Sequence, residues 1–508
     1  MFIREKKNKS GSISIQIIEK RGRKNHLVKT IGSSVDKIEL ASLRRQARQY
    51  LSTQSGQLPL GLGIEEEENW FVDVFDSIKS IRLIGPELIL GKLYEEIGFD
   101  KIPEILFRHL VITRLVYPAS KLKTIRYLRE YQGKEYGPDQ IYRYLDKLHK
   151  SYKKQVEQIS YEHTLKILDG DMSIVFYDVT TIYFEVDKED DLRKTGFSKE
   201  GKHKHPQILL GLLVGLEGYP LAYEIFEGNK YEGHTMLPLI DRFKKRFGLE
   251  RLVLIADSGL MTNKNVEELI EKGYEFILGA RIKTETKAIK EQILGLSLTD
   301  GQSALIEKSD TLKLVINYSK RRAAKDSYNR ERGLKKLEKS LSKGKLTKKH
   351  INNRGYNKYL SIEGEVNVSI DYDKFGKDAK WDGLKGYITN TSLSMEQLVK
   401  SYKELWKIEK AFRISKTDLR IRPIYHRLQK RIEAHICISF TAYKIYKELQ
   451  RQLLLKEASI STERAIEILK TIYGLIIEHP TTLKSKTMIY AKTDLQKKLL
   501  NLFDFKSG

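Results

Sequence analysis

The sequence is poor in cysteine and lacks a long apolar run. The single cysteine, Cys437, stands among 508 residues, so the chain cannot form an intrachain disulfide or a cysteine-based zinc site. Its apolar surroundings favour a small buried side chain. The longest apolar run, residues 208–216, contains two glycines and is far shorter than the roughly 20 residues of a membrane span. We therefore expect a cytoplasmic protein without membrane spans.

Acidic residues are outnumbered by basic ones. Lysine and arginine number 92 against 67 aspartate and glutamate, which gives a net charge of +25 and a pI near 9.5. An excess of this size favours a polyanionic partner such as DNA, because cationic side chains neutralise phosphates. An anionic membrane surface is the rival partner. It is the weaker alternative, since no long basic amphipathic segment stands apart from the folded regions.

The length of 508 residues predicts several domains, because one hydrophobic core rarely serves so long a chain. Residues 1–60 predict a small basic module in which a β-hairpin is followed by a helix. The remaining predicted segments are a helical DNA-binding region at 61–168, the first part of an α/β core at 169–283, a β-rich and basic insertion at 284–380, the second part of the core at 381–440, and a helical region at 441–508.

Residues 173–280 alternate between strand and helix patterns. Apolar and β-branched runs predict strands, and amphipathic segments between them predict helices, in the order β-β-β-α-β-α-β. This order matches a ribonuclease-H-like core. In that fold the first and fourth strands lie side by side, so we expect Asp178 and Asp257 to meet at the sheet.

Two apolar strand segments carry one carboxylate each. Asp178 interrupts the run Val-Phe-Tyr-Asp-Val-Thr-Thr, and a charge within a buried strand needs compensating partners. Asp257 follows five apolar residues and precedes Ser-Gly. Aspartate at a strand end often only opens a turn, so Asp257 taken alone supports a functional and a structural role about equally.

A third carboxylate lies on a predicted amphipathic helix that begins at Ser394. Apolar residues recur there at spacings of three and four, and Glu409 and Lys416 fall on the same stripe. A carboxylate on an inward stripe is costly unless something compensates it. One alternative is a buried ion pair between Glu409 and Arg413. The other is metal binding together with Asp178 and Asp257, which we favour because these three carboxylates can hold a pair of hard divalent cations.

The predicted insertion contains the most basic stretch of the chain. Residues 320–349 include 13 lysines or arginines, among them Arg321 and Arg322, against three acidic residues. Such a run is often a solvated helical face. Next to a candidate phosphodiester site, we favour contact with DNA.

These motifs together resemble the DDE transposases of bacterial insertion sequences. The similar branch has a β-rich insertion before the glutamate and a signature Tyr-x2-Arg-x3-Glu-x6-Lys. Tyr402, Glu409 and Lys416 match that signature at the correct spacing, whereas Leu405 stands at the arginine position. The resemblance covers roughly residues 170–440.

The resemblance implies a magnesium-dependent enzyme that cuts the ends of its element and joins the 3′-hydroxyls to target DNA. Asp178, Asp257 and Glu409 would bind two Mg²⁺ ions, for which Mn²⁺ is an expected substitute. Tyr402 and Lys416 would contact the DNA end, and Arg413 or Lys407 would replace the arginine missing at position 405. The implied partners are double-stranded DNA, as terminal inverted repeats and as target, and a second copy of the chain in a nucleoid-associated homodimer. The resemblance also makes Trp381 a candidate to stack on a terminal base, although a core position is the plainer interpretation.

Two other hypotheses fit the same sequence. The first is a metal-dependent nuclease of this fold that cuts DNA without joining it. The second is a DNA-binding relative that has lost catalysis, although the intact set of three carboxylates argues against it. The formation of joined products separates the first alternative from a transposase.

Overall fold

The computed structural model describes residues 1–22, 24–55, 74–186, 188–197, 201, 204–352, 355–363, 367–479 and 482–505. The chain divides into two compact units. One contains Met1–Ile89, Arg129–Lys134 and Glu463–Gly508, and the other contains Leu90–Leu128 and Glu135–Thr462.

The first unit begins with an antiparallel sheet in the order β1-β2-β3, covered by a helix. Ile15 and Ile17 of the middle strand pack against Leu40 and Ala47 of the helix. The elements are β1 Phe2–Lys7, β2 Ile13–Arg21, β3 Lys24–Ser34 and α1 Lys37–Ser55. The predicted hairpin and helix are confirmed.

The same unit holds a second antiparallel sheet in the order β16-β15-β4. Its strands are β4 Ile78–Leu83, β15 Tyr473–Glu478 and β16 Ser485–Tyr490, which lie near α15 Thr462–Leu469 and α16 Asp494–Leu502 in the chain. The prediction that residues 441–508 are helical throughout is therefore wrong. The partner of β15 is a strand some 390 positions away, and no local pattern reveals such a pairing.

Helices fill the sequence before the catalytic core and after it. The long helix α14 packs against α3, α5 and α6, and every residue from Ala434 to Tyr446 is buried, so this part of the helix is enclosed on all sides. The helices are α2 Gly85–Ile97, α3 Ile105–Val116, α4 Lys121–Gln132, α5 Pro138–Lys147, α6 Lys153–Ile167 and α14 Gln429–Leu455.

The largest sheet among the described residues has the strand order β10-β11-β14-β9-β8-β5-β6-β7. Strand β5 is parallel to β8, which is parallel to β9, whereas β6 is antiparallel to β5 and β7. The ranges are β5 Ile174–Tyr183, β6 Gln207–Gly215, β7 Pro220–Glu227, α7 Met236–Phe247, β8 Val253–Ala256, α8 Asn263–Glu271 and β9 Glu275–Ala280. The predicted order and the contact between the first and fourth strands are confirmed.

Residues 284–380 do not all lie apart from this sheet. The strand that begins at Lys313 and its neighbour extend the central sheet through β14. A smaller cluster forms its own core around Leu337, Tyr359 and Ile370. The elements are α9 Lys287–Gly295, β10 Ser303–Glu307, β11 Lys313–Tyr318, α10 Lys320–Ser342, β12 Leu360–Glu363, β13 Asn367–Ile370, α11 Tyr372–Ala379 and β14 Leu384–Thr389.

The helix predicted from Ser394 onward is broken into two. Helix α12 spans Met395–Lys403 and α13 spans Trp406–Thr417, with a turn between them. A capping box begins α12, because the Gln397 amide donates to Ser394 Oγ and the Ser394 amide donates to Gln397 Oε1. The break changes the direction of the stripe that carries Glu409.

Candidate active site

The two aspartates occupy equivalent places on neighbouring parallel strands. Tyr177 of β5 is paired in register with Ala256 of β8, and both are fully buried in the core on one face of the sheet. Side chains alternate between faces along a strand, so Asp178 and Asp257, one position further, lie on the opposite face. Strand β8 ends at Ala256, but the backbone at Asp257 is still extended, with φ −76° and ψ 159°, so the alternation of side chains holds for that residue.

Helix α13 crosses the same face of the sheet. Leu212 of β6 is the register partner of Asp178, and Leu212 lines a small apolar cavity together with Phe412 of α13. Glu409 precedes Phe412 by three residues, which is about one helical turn. This packing brings Glu409 to the side of the sheet that carries the aspartates.

The prediction that Glu409 is buried on the inward stripe is wrong. Tyr402 and Leu405 are buried, but Glu409 is exposed, because the chain turns at Glu404 and Leu405 before α13 begins. No ion pair between Glu409 and Arg413 occurs among the described residues, so that alternative is not formed. An exposed carboxylate needs no buried partner, and it is open to an ion or a substrate from solution.

Tyr402 connects the helical side of the site to the strands. It is 3% exposed, and its hydroxyl donates a hydrogen bond of 3.3 Å to Asp257 Oδ1. Burial, and then the negative charge of Asp257, raise the pKa of Tyr402 far above its ordinary value; Glu409 contributes in the same direction. The hydroxyl therefore stays protonated and donates to the carboxylate.

Gly279 makes room for this tyrosine. A Cβ at position 279 would lie 2.4 Å from the Tyr402 hydroxyl oxygen and 2.9 Å from the Ser258 amide nitrogen. Both distances are shorter than a van der Waals contact. The glycine on β9 is therefore a packing requirement of the site.

Lys385 of β14 also belongs to this neighbourhood. Its Nζ lies 4.5 Å from the ring centroid of Tyr402 and 5.6 Å from that of Tyr387. Burial and the nearby positive charge of Arg322 lower the pKa of Lys385, while Asp257 and Glu409 act in the opposite direction. Lys385 is not among the site residues predicted from the sequence, although a lysine within an otherwise apolar strand was the available signal.

A cleft of about 630 Å³ extends from Asp257 toward the insertion. Tyr402 and Lys385 line it near the aspartate. The insertion side contributes both cationic and aromatic residues, namely Arg322, Arg330, Lys358, Tyr356 and Trp381. Trp381 both lines the cleft and packs on the central core, so the structure is compatible with each of its two interpretations.

The other residues predicted to bind DNA differ in their surroundings. Arg413 is exposed, and Lys416 is half-buried near the end of α13. Lys407 instead pairs with Glu217 at 2.9 Å and with Glu404. Burial lowers the pKa of Lys407, but these carboxylates more than offset it. The ion pairs argue against the predicted role of Lys407 as a substitute for a phosphate-binding arginine.

The donor set suits a hard divalent cation, since it consists of carboxylate oxygens. Asp178 and Asp257 fit such a site because they share a sheet face on adjacent strands. In the part of the chain that the structure describes, however, no three histidine, cysteine, aspartate or glutamate side chains lie close enough together to hold one ion. Glu409 would have to approach the strand aspartates to complete a set of three.

Comparison with known families shows which family the chain belongs to. The model of the family described as "Transposase DDE domain" matches residues 169–445, which is more than half of the chain and includes all three carboxylates. The chain belongs to the DDE transposase family. Membership in that family makes it a DNA-cleaving and DNA-transferring enzyme.

Similarities to individual proteins are weak for this DDE transposase. The cryo-EM structure of the piggyBac transposase synaptic complex with hairpin DNA gives a TM-score of 0.37 at 10% identity, over 76% of this chain and 79% of that one. The Mos1 transposase paired-end complex with the left transposon end gives 0.16 at 13% identity, over 37% and 57% of the two chains. A comparison with curated proteins yields no match. Across the described residues, none of the helices has the length and apolar character to cross a membrane.

Proposed function

We propose that this DDE transposase moves a bacterial insertion sequence by a cut-and-paste reaction. It cleaves the phosphodiester bonds at the element ends and joins the freed 3′-hydroxyls to target DNA. The observation that carries the proposal is the placement of Asp178 and Asp257 side by side on parallel strands, with the Glu409 helix crossing the same face. Water is the nucleophile for the first step and the 3′-hydroxyl for the second, so one site serves both.

Asp178, Asp257 and Glu409 would hold two Mg²⁺ ions, with Mn²⁺ as an expected substitute. Ions bound there supply an activated nucleophile and stabilise the charge on the leaving oxygen. The protein's own contribution is to fix the carboxylates. Tyr402 donates to Asp257 and thereby restricts the orientation of that carboxylate before DNA binds.

Tyr402 and Lys416 are proposed to contact the DNA end, with Arg413 exposed one turn before Lys416 as a further cation. Leu405 cannot replace the arginine of the signature, because its side chain carries no charge and no hydrogen-bond donor. Arg322 lines the cleft together with Asp257, which supports its proposed contact with DNA close to the cleaved bond.

Helix α10 supports a path for duplex DNA that leads away from the cleft. Exposed residues at spacings of four, three, four, three and four form one stripe along it: Arg321, Lys325, Tyr328, Arg332, Lys335 and Lys339. At about 1.5 Å per residue this stripe is about 27 Å long, comparable to eight base-pair steps of about 3.4 Å. The stripe starts beside Arg322, which lines the cleft. We propose that it follows the phosphate backbone of bound duplex DNA.

The proposed partners are the terminal inverted repeats, the target duplex and a second copy of the chain, with a nucleoid-associated location in the cytoplasm. The net charge of +25 supports the DNA partners. The basic first 150 residues of the chain are proposed to recognise the element ends. A homodimer would place one active site at each end.

A strand-transfer assay tests this proposal. Purified protein, a labelled element end and a supercoiled target plasmid are incubated with Mg²⁺. Joined products in which the label enters the plasmid support the transposase. Cleaved ends without joining would support a nuclease instead, and binding without cleavage would support a catalytically silent relative.

The path along α10 is tested by a matched pair of double variants. Lys325→Ala/Lys339→Ala removes two charges from the stripe, whereas Lys264→Ala/Lys287→Ala removes two exposed charges elsewhere. We expect the slope of log Kd against log salt to decrease by about 2 for the first variant only. If the slope of the first variant stayed equal to that of the wild type, the stripe would be only a solvated face.

A further inference from the structure

Lys385 is a half-buried cation without a carboxylate partner of its own. Lysines in such positions are normally paired, because removing an ammonium group from water is costly. Among the described residues, Lys385 forms no ion pair within 4 Å. Its Nζ lies instead over the rings of Tyr402 and Tyr387, at 4.5 and 5.6 Å from the ring centroids.

A second cation lines the same cleft. Arg322, in the first turn of α10, lines the cleft together with Lys385, Asp257 and Tyr402. Arg322 Nε is 3.5 Å from Asp326 Oδ2, one turn on in the same helix, and Asp326 also accepts a hydrogen bond from the Gly383 amide. Asp326 therefore orients the arginine. Asp326 is itself held by the backbone of Gly383, which directly precedes the strand that carries Lys385.

This arrangement leaves space for an anion between two cations and beside a carboxylate that is committed to Tyr402. A phosphodiester fits, because it can accept from Lys385 and Arg322 through its two non-bridging oxygens. A carboxylate ligand would also be an anion, but it would offer no bond that this site can break.

We propose that Lys385 and Arg322 form a phosphate-binding site for the DNA backbone next to the bond that is cut. The inference rests on the proposed function and adds to it a residue that positions the substrate. Lys385 binds one non-bridging oxygen and holds that phosphate against Asp257. The tyrosine rings beneath the lysine fix the direction of its side chain.

The experiment uses Lys385→Met, which keeps an unbranched side chain of similar length and removes the charge, and Lys385→Arg, which keeps the charge. Lys313→Met is the matched control, since Lys313 is a half-buried lysine on β11 of the same sheet and does not line the cleft. The DNA substrates carry a single neutral methylphosphonate at successive positions around the cleavage site. Binding is measured in EDTA, and single-turnover cleavage is measured in Mg²⁺.

We expect Lys385→Met to cut about 10- to 100-fold more slowly at saturating DNA, since it loses a charge-assisted hydrogen bond. Lys385→Arg should retain most activity, and Lys313→Met should stay within about twofold of the wild type. At one phosphate the methylphosphonate should weaken DNA binding by the wild type, but it should not weaken binding by Lys385→Met any further. At the other phosphates its effect should be the same in both proteins.

Equal sensitivity to the methylphosphonate in wild type and Lys385→Met at every position would overturn the inference, as would unchanged cleavage by Lys385→Met. The binding measurement keeps this test separate from the proposed function. If the wild type bound DNA but never cut it, the transposase proposal would fail. The phosphate-binding site would still be supported if Lys385→Met lost the contribution of one phosphate to DNA binding. A thermal melt of each variant checks that it folds.

Discussion

Replacing Gly279 by alanine should damage the active site without touching a carboxylate. The added Cβ would lie 2.4 Å from the Tyr402 hydroxyl and 2.9 Å from the Ser258 amide nitrogen. The tyrosine can move only by giving up its hydrogen bond to Asp257, and Ser258 can move only by shifting the backbone that carries Asp257. The substitution therefore disturbs the orientation of one proposed ligand.

The expected size of the effect of Gly279→Ala follows from overpacking of the site. Adding a methyl group to a filled site usually costs about 1–3 kcal/mol in the free energy of unfolding. A displacement of about 1 Å at reacting groups can cost about 100-fold in rate. Gly279→Ala should thus lower the denaturation midpoint and reduce single-turnover DNA cleavage by about that factor, while DNA affinity in EDTA changes little.

Two further variants make the reasoning refutable. Gly376→Ala is the control, because a Cβ at that helical glycine meets no atom within 4 Å and should slightly stabilise the protein. Gly279→Ala/Tyr402→Phe removes the oxygen closest to the new methyl group, so it should regain part of the lost stability but not the cleavage rate. If Gly279→Ala melted and cut like the wild type, the packing of Tyr402 against β9 would be wrong.

Further predictions concern three other residues of the compact unit that contains Gly279, namely Glu409, Lys447 and Cys437. Glu409→Gln should retain DNA binding and lose cleavage, because only the charge is removed; wild-type cleavage by this variant would remove Glu409 from the site. Burial lowers the pKa of Lys447 to about 8, so the folded state holds fewer protons than the unfolded state between pH 8 and 10.5, and stability rises with pH across that window. Lys447→Met should therefore raise the free energy of unfolding by roughly 1–3 kcal/mol at pH 7, an advantage that shrinks toward pH 10.5 in denaturant titrations. Cys437 is 1% exposed, and burial raises its thiol pKa to about 12, so a maleimide should label it only upon unfolding; rapid labelling of the native protein would contradict this packing.

The strand aspartates could be predicted because their surroundings have a local signature. A buried parallel strand is an almost uninterrupted apolar run, so one carboxylate within it or directly after it stands out. The order of strands and helices then restricts which strands are neighbours. Asp178 and Asp257 are adjacent for that reason, and the sequence contains all the information needed.

The surroundings of Glu409 could not be predicted in the same way. The spacing of apolar residues continues smoothly through the turn at Leu405, so the pattern indicates one helix and an inward glutamate. The bend exposes Glu409, and nothing in the local sequence marks it. Lys407 looked available for DNA, but its partner Glu217 is 190 residues away in the chain.

Long-range strand pairing accounts for the remaining differences. Strand β11 was predicted within a separate insertion, yet it pairs with β14 and so extends the central sheet. The pairing of β14 with β9 brings Lys385 close to Tyr402, and the pairing of β11 with β14 places the start of the basic helix α10 at the cleft. The boundaries of the six predicted segments, including 284–380, stay predictions.

The central claim is that Asp178, Asp257 and Glu409 form a magnesium-dependent site for DNA cleavage. The most direct measurement is a cleavage assay on labelled DNA from the flanks of the gene, with Mg²⁺ or EDTA, using the wild type and Asp178→Ala. We predict cuts at an inverted repeat that require Mg²⁺ and disappear in Asp178→Ala, while both proteins bind the fragment equally well. Cuts of equal rate by Asp178→Ala, or in EDTA, would contradict the account.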